Sequence, residues 1–225
     1  MSTKNLAMLA MGIAVAFMAP KANATVQITL TQGASSVTIT DGSASDVCSA
    51  TDCVTFSGAL GNYLINVSTG IAQNGTNPYL DLNSVNLTTR PNAGLLTIST
   101  SSNGYTAQTP QFSFQVGGTS SLTGASTFKA YGGNSNTLFD TSNQLGSTLV
   151  FPTSPFSNST LSSGGTTSNP YSLTIVATLN GISAGSASFD AALDAVPEPA
   201  TMALLGAVLL FSGSAIRRKL RGNAV

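Results

Sequence analysis

Thr25-Val26-Gln27-Ile28-Thr29-Leu30-Thr31 sets polar and apolar side chains in strict alternation, and Ser36-Val37-Thr38-Ile39-Thr40 repeats the pattern beyond Gly33. A period of two places one set of side chains in a core and the other in solvent, as in an antiparallel sheet. Similar runs cover residues 63–67, 79–87, 95–99, 111–116, 127–131, 171–179 and 182–193. Gly33, Asp41-Gly42, Asn74-Gly75, Asn103-Gly104, Gly117-Gly118, Gly132-Gly133, Gly164-Gly165 and Asn180-Gly181 punctuate them. These residues tolerate the positive φ of tight turns. Asn180-Gly181, between two alternating runs, is the strongest hairpin candidate. Short strands so punctuated predict an all-β fold, an antiparallel β-sandwich or jelly roll. Residues 152–170, with Pro152, Pro155, Ser162-Ser163-Gly164-Gly165 and Pro170, read as a long exposed loop. No internal repeat suggests a solenoid, so residues 25–193 form one expected domain.

Charged residues make up only 7% of the chain, against the quarter usual in globular proteins. Ser, Thr, Asn and Gly take their place. The formal net charge of zero conceals an asymmetry. Between residues 25 and 196 only Arg90 and Lys129 are basic, against Asp41, Asp46, Asp52, Asp81, Asp140, Asp190 and Asp194, so this part carries 2 − 7 = −5. Such a body has no counter-charge for phosphates, which excludes nucleic acid as an expected partner.

The two ends read differently. Lys4, an apolar run over residues 6–19 and Ala22-Asn23-Ala24 are the three parts of a secretory signal peptide, residues 1–24. Signal peptidase is expected to cut after Ala24 and leave Thr25 as the new N-terminus. The competing reading is an uncleaved anchor, but the run is shorter than the ~20 residues that span a bilayer. At the other end, Val196-Pro197-Glu198-Pro199 precedes an apolar stretch over residues 200–216, followed by Arg217-Arg218-Lys219-Leu220-Arg221. As a helix that stretch reaches about 25 Å, slightly under a ~30 Å hydrocarbon core, and flanking arginines can snorkel. The basic cluster Arg217, Arg218, Lys219 and Arg221 belongs on the cytoplasmic side. Pro197 and Pro199 fix φ and bias their predecessors toward extended backbone, the form a protease cleft accepts.

Val-Pro-Glu-Pro-Ala, a short hydrophobic helix and an Arg-Arg-Lys tail, in that order over residues 196–221, resemble the PEP-CTERM sorting signal of Gram-negative bacteria. The resemblance implies a sorting segment over residues 194–225. It also implies processing by exosortase, an integral-membrane cysteine protease, at or near Pro197-Glu198-Pro199. The body would first sit in the periplasm, anchored to the inner membrane, and then reach the cell surface or extracellular matrix, with exopolysaccharide as an expected partner.

Candidate chemistry in the body is sparse. Cys48 and Cys53 are the only cysteines, and an even pair in an exported chain reads as a disulfide. Asp41, Asp46 and Asp52 could offer oxygens to calcium, but the spacing is not that of an EF-hand, and a solvated acidic loop is the simpler reading; no metal site is assigned. The chain has no histidine, which removes Ser-His-Asp and Cys-His catalysis and the commonest zinc sites. Glu198 is the only glutamate, so a hydrolase would need aspartates, with Asp81, Asp140 and Asp190 as candidates. Asn66-Val67-Ser68, Asn74-Gly75-Thr76, Asn86-Leu87-Thr88 and Asn158-Ser159-Thr160 match the N-glycosylation pattern, an easy coincidence in so polar a chain. The expected protein is therefore non-enzymatic and without cofactor, with a structural or adhesive role. Two alternatives stand: a carbohydrate-binding module using Tyr63, Tyr79, Tyr105, Tyr131 and Tyr171, and a surface hydrolase whose paired aspartates share a cleft.

Overall fold

A computed structural model describes residues 25–196 except 76, 110 and 167. The segments expected to be a signal peptide (Ala22 and Ala24 included), the Pro197-Glu198-Pro199 motif, a helix over 200–216 and the basic tail lie outside the described residues. The strands are β1 (Val26–Gln32), β2 (Ser35–Thr40), β3 (Cys53–Leu60), β4 (Tyr63–Gln73), β5 (Tyr79–Thr89), β6 (Gly94–Tyr105), β7 (Phe112–Ser120), β8 (Ser126–Gly133), β9 (Leu149–Phe151), β10 (Phe156–Leu161), β11 (Tyr171–Gly181) and β12 (Gly185–Ala195). They form two six-stranded sheets: sheet A in the order β2-β1-β6-β11-β8-β9 and sheet B in the order β10-β7-β12-β5-β4-β3. Every pairing between these strands is antiparallel. The all-β sandwich expected from the alternation is the observed architecture.

Alternation puts the inner positions of both sheets into one core. Val26, Ile28 and Leu30 of β1, Leu96 and Ile98 of β6, and Leu173, Ile175, Ala177 and Leu179 of β11 are fully buried from sheet A. Leu80 and Leu82 of β5, Phe112 and Phe114 of β7, and Phe189, Ala191 and Leu193 of β12 are buried from sheet B. Phe128 of β8 meets Phe189 edge-on across the core, with ring centroids 5.0 Å apart. At the same end, Phe151 stacks on Phe156 at 4.6 Å.

Three local expectations are corrected. Asn180-Gly181 is not a hairpin turn, because β11 lies in sheet A and β12 in sheet B. The carbonyls of Gly181 and Ile182 still accept the N–H groups of Ala93 and Asn92, at 2.8 and 3.0 Å, so the strand runs on past the dipeptide. Both strands turn an apolar face to the same core from opposite sides, and the chain must pass over its end. Gly181 serves close approach instead: a Cβ there would stand 2.5 Å from the Tyr63 hydroxyl. Residues 152–170 are not one loop either, since β10 pairs along β7 from Phe156 to Leu161. Asn103-Gly104 and Gly117-Gly118 lie inside β6 and β7 rather than between strands.

Candidate functional site

The outer face of sheet A is a field of hydroxyls. Ser36, Thr31, Thr97, Thr178 and Thr127 stand opposite one another in one rank across β2, β1, β6, β11 and β8. Adjacent strands bring such neighbours within about 5 Å. Thr38, Thr29 and Ser99 begin the next rank, which ends at Lys129. Hydroxyls pair across strands where they can, Thr29 with Thr38 at 2.9 Å and Thr31 with Ser36 at 3.1 Å.

Sheet B presents carboxylates. Asp190, Ala192 and Asp194 take successive outward positions on β12, where Ala187, Phe189, Ala191 and Leu193 point inward. Beside them on β5, Asp81 pairs in register with Ala192, and Tyr79 with Asp194. Asp81 is only 5% exposed, flanked by Ala192 and by Ile71 of β4. Its Oδ1 has no hydrogen-bond partner. Burial pushes the Asp81 carboxyl above its ordinary range; Asp190 and Asp194 add to the rise, and hydrogen bonds from Tyr79 and Asn83 oppose it. Burial likewise raises Asp194 and, together with its bond to Asp81, the Tyr79 hydroxyl.

Asp190 has a backbone reason to be where it is. The register of β12 on β5 slips between Phe189 and Ala191, opposite a kink at Ser84, whose φ is 54°. The Ser84 N–H freed by that bulge donates to Asp190 Oδ1 at 2.6 Å. Next to this fixed carboxylate, a groove of about 380 Å³ crosses β10, β7 and β12, with Gln115, Gly117, Ser157, Asn158, Asp190 and Ala192 among its walls.

The aspartates proposed for hydrolysis do not gather in one cleft. Asp190 lines the groove, Asp81 is buried beside it, and Asp140 follows β8 of the other sheet. Hydrogen bonds from Ser135 and Ser142 lower the Asp140 carboxyl to about 2. The five tyrosines form no platform. Tyr63, Tyr105 and Tyr171 are buried in the core, with Tyr105 stacked on Tyr171 at 5.4 Å. Tyr79 and Tyr131 belong to opposite sheets. Burial of these rings has no signature in sequence, because alternation gives the phase of a side chain but not what covers it.

Cys48 and Cys53 form the expected disulfide at the edge of sheet B. The acidic loop beside it is held by its own carboxylates. Asp46 accepts the N–H groups of Gly42, Cys48 and Thr55, and Asp41 accepts that of Asp52 at 2.9 Å. Among the described residues no group of three or more His, Cys, Asp or Glu side chains is placed to hold a metal ion. Of the N-glycosylation matches, Asn74 Nδ2 donates to the Gly104 carbonyl, Asn86 Nδ2 to that of Ser84 at 3.1 Å, and Asn158 lines the groove.

Comparison with solved structures returns carbohydrate-binding domains, alongside proteins of other kinds such as a bacteriophage tailspike, all at low similarity. The N-terminal cellulose-binding domain of Cellulomonas fimi β-1,4-glucanase C is 16% identical over 54% of this chain and 84% of its own, with a TM-score of 0.32. A structure titled "BiXyn10A CBM1 APO" is 10% identical over 51% and 74%, also at 0.32. One of the promiscuous carbohydrate-binding modules from the β-sandwich superfamily is 15% identical over 74% and 70%, at 0.30. At these scores no ligand is inferred from them, and the sandwich rests on its own strand order. No curated protein matches the chain.

The C-terminal segment is decided by a family model. β12 ends at Ala195, and the N–H of Val196 donates to the Gln111 carbonyl at 2.9 Å. The model for the PEP-CTERM protein-sorting motif matches residues 195–219, a stretch that holds Pro197, Glu198, Pro199, Arg217, Arg218 and Lys219 and stops short of Arg221. The motif implies export, with membrane anchoring before exosortase cleavage. The chain is a PEP-CTERM sorting-domain protein, its sorting segment joined directly to the last strand of a β-sandwich.

Proposed function

We propose that this protein is a non-enzymatic structural or adhesive component of the bacterial surface or its polysaccharide matrix, delivered there through exosortase. The reading is carried by the junction at Ala195 and Val196. All twelve described strands precede the Pro-Glu-Pro motif, so cleavage at Pro197-Glu198-Pro199 would cost the sandwich no strand pairing. The anchor and the body are separable, as a released protein requires.

The outer chemistry supports the same reading. A face of threonine and serine hydroxyls, with Lys129 as its one cation among the described residues, donates and accepts hydrogen bonds largely without charge, which suits contact with glycans and neighbouring chains rather than long-range steering. The non-enzymatic reading draws on the absence of histidine and on a groove with a single carboxylate, Asp190, along its walls. Fractionation of the host with exosortase active and inactivated tests the proposal. Release into the medium or matrix with the protease, and retention in the inner membrane without it, is the expected result. Identical distribution in both strains would refute it.

A further inference from the structure

We infer that the groove across β10, β7 and β12 is a subsite for a neutral sugar of an extracellular polysaccharide, a step that rests on the exported reading above. The key residue is Gly117. Its neighbour Gly118 is required by packing, since a Cβ there would stand 2.4 Å from the Ser188 carbonyl oxygen and 2.7 Å from Phe189 Cβ. Gly117 has no such reason. A Cβ there would meet nothing closer than 3.9 Å, and its φ lies outside the left-handed region. What the missing side chain does is keep the groove floor open, with Asp190 opposite it on β12 and Ala192, opposite Gln115, one outward position further along.

The walls offer the mixed donors and acceptors that a polyol needs, because each sugar hydroxyl both donates and accepts. Asp190 is an acceptor held in place by the Ser84 N–H at 2.6 Å. Asn158 spends its carbonyl oxygen on the Ser159 N–H at 2.8 Å, which leaves its amide N–H groups as donors. Gln115 holds only a long bond to Ser113, 3.4 Å, and can turn to a ligand. The groove volume of about 380 Å³ falls at the small end of ligand sites, enough for one or two sugar rings. Charge selects among glycans. Asp81 and Asp194 share this face with Asp190, whereas Lys129 projects from the other sheet and Arg90 follows the end of β5. Uronate-rich or sulfated polymers are therefore repelled, and uncharged ones are not.

The test uses the full chain in detergent micelles on an array of neutral and uronic-acid-containing oligosaccharides, with the best neutral probe then titrated by calorimetry. Gly117→Val fills the groove without reaching the core. The expected outcome is at least a tenfold loss of affinity at an unchanged melting temperature, while Val47→Ala, exposed in the loop that leads into β3 at the opposite edge of sheet B, binds as the parent does. Should Gly117→Val fold poorly, Gln115→Ala provides the same comparison by removing a wall. Absence of neutral-glycan binding, equal binding of uronate probes, or full affinity in both groove variants would overturn the subsite. A chain that is released by exosortase yet binds no glycan would refute the subsite alone; one that binds but is never released would refute the export reading alone.

Discussion

The outer faces of the two sheets are built by the same alternation and end in opposite chemistry. On sheet A most outward positions of β1 and β2 are hydroxyls, and some pair across strands, as Thr29 does with Thr38 and Thr31 with Ser36. On sheet B they include Asp81, Asp190 and Asp194, with one carboxylate oxygen buried and unpaired. A hydroxyl rank costs little to maintain because exposed, self-paired groups stay hydrated. A buried carboxylate among carboxylates costs stability and persists only if something offsets it. Sheet A is thus a surface, and sheet B is where the fold holds strain and shape together.

Substitutions can break or sharpen that contrast. The largest effect is expected beneath both faces. Phe189→Ala removes a ring that packs on Phe128 across the core, and should cost about 3–5 kcal/mol in denaturant unfolding. Replacing Cys48 and Cys53 together by serine frees the edge of sheet B and should cost about 2 kcal/mol; an equal stability of both forms would mean that the carboxylates of Asp41 and Asp46 hold the loop without the disulfide.

Asp81→Asn should act in the other direction, stabilising the protein by about 1–2 kcal/mol at neutral pH. The sign follows from burial. The folded-state pKa lies above the 3.8 of a free carboxyl, so the penalty is absent below that value and grows as pH rises through the folded pKa. The gain from Asp81→Asn should therefore vanish in acid, and a pH-independent gain would contradict the account. The smallest effect belongs to sheet A: Thr29→Val with Thr38→Val should change stability by no more than about 0.5 kcal/mol while leaving a less wettable, less glycan-adherent face.

Much of this was legible in the sequence, and the failures share a cause. β1 and β2 are plain because apolar and polar residues alternate on both sides of Gly33. The sorting segment is plainer still, since Pro-Glu-Pro, an apolar run and a basic tail follow in fixed order. β10 was hidden because Phe156-Ser157-Asn158-Ser159-Thr160-Leu161 is apolar only at its ends; it is an edge strand paired on one side, with few contacts to demand a pattern. Asn180-Gly181 misled because a glycine needed for close approach looks, locally, like a glycine needed for a turn. At the groove, Asp190 was visible as a candidate acid, but its partner Ser84 is distant in sequence and joins it only through a bulge. Gly117 carried no signal at all, because an open floor is defined by neighbours on two other strands.

Intact mass of the protein recovered from its own host tests the central claim most directly. The account predicts a species that begins at Thr25 and ends near Pro197, with every strand of the sandwich retained. A recovered mass that still includes Arg217 to Arg221 would contradict it, leaving a permanently anchored protein in place of a sorted one.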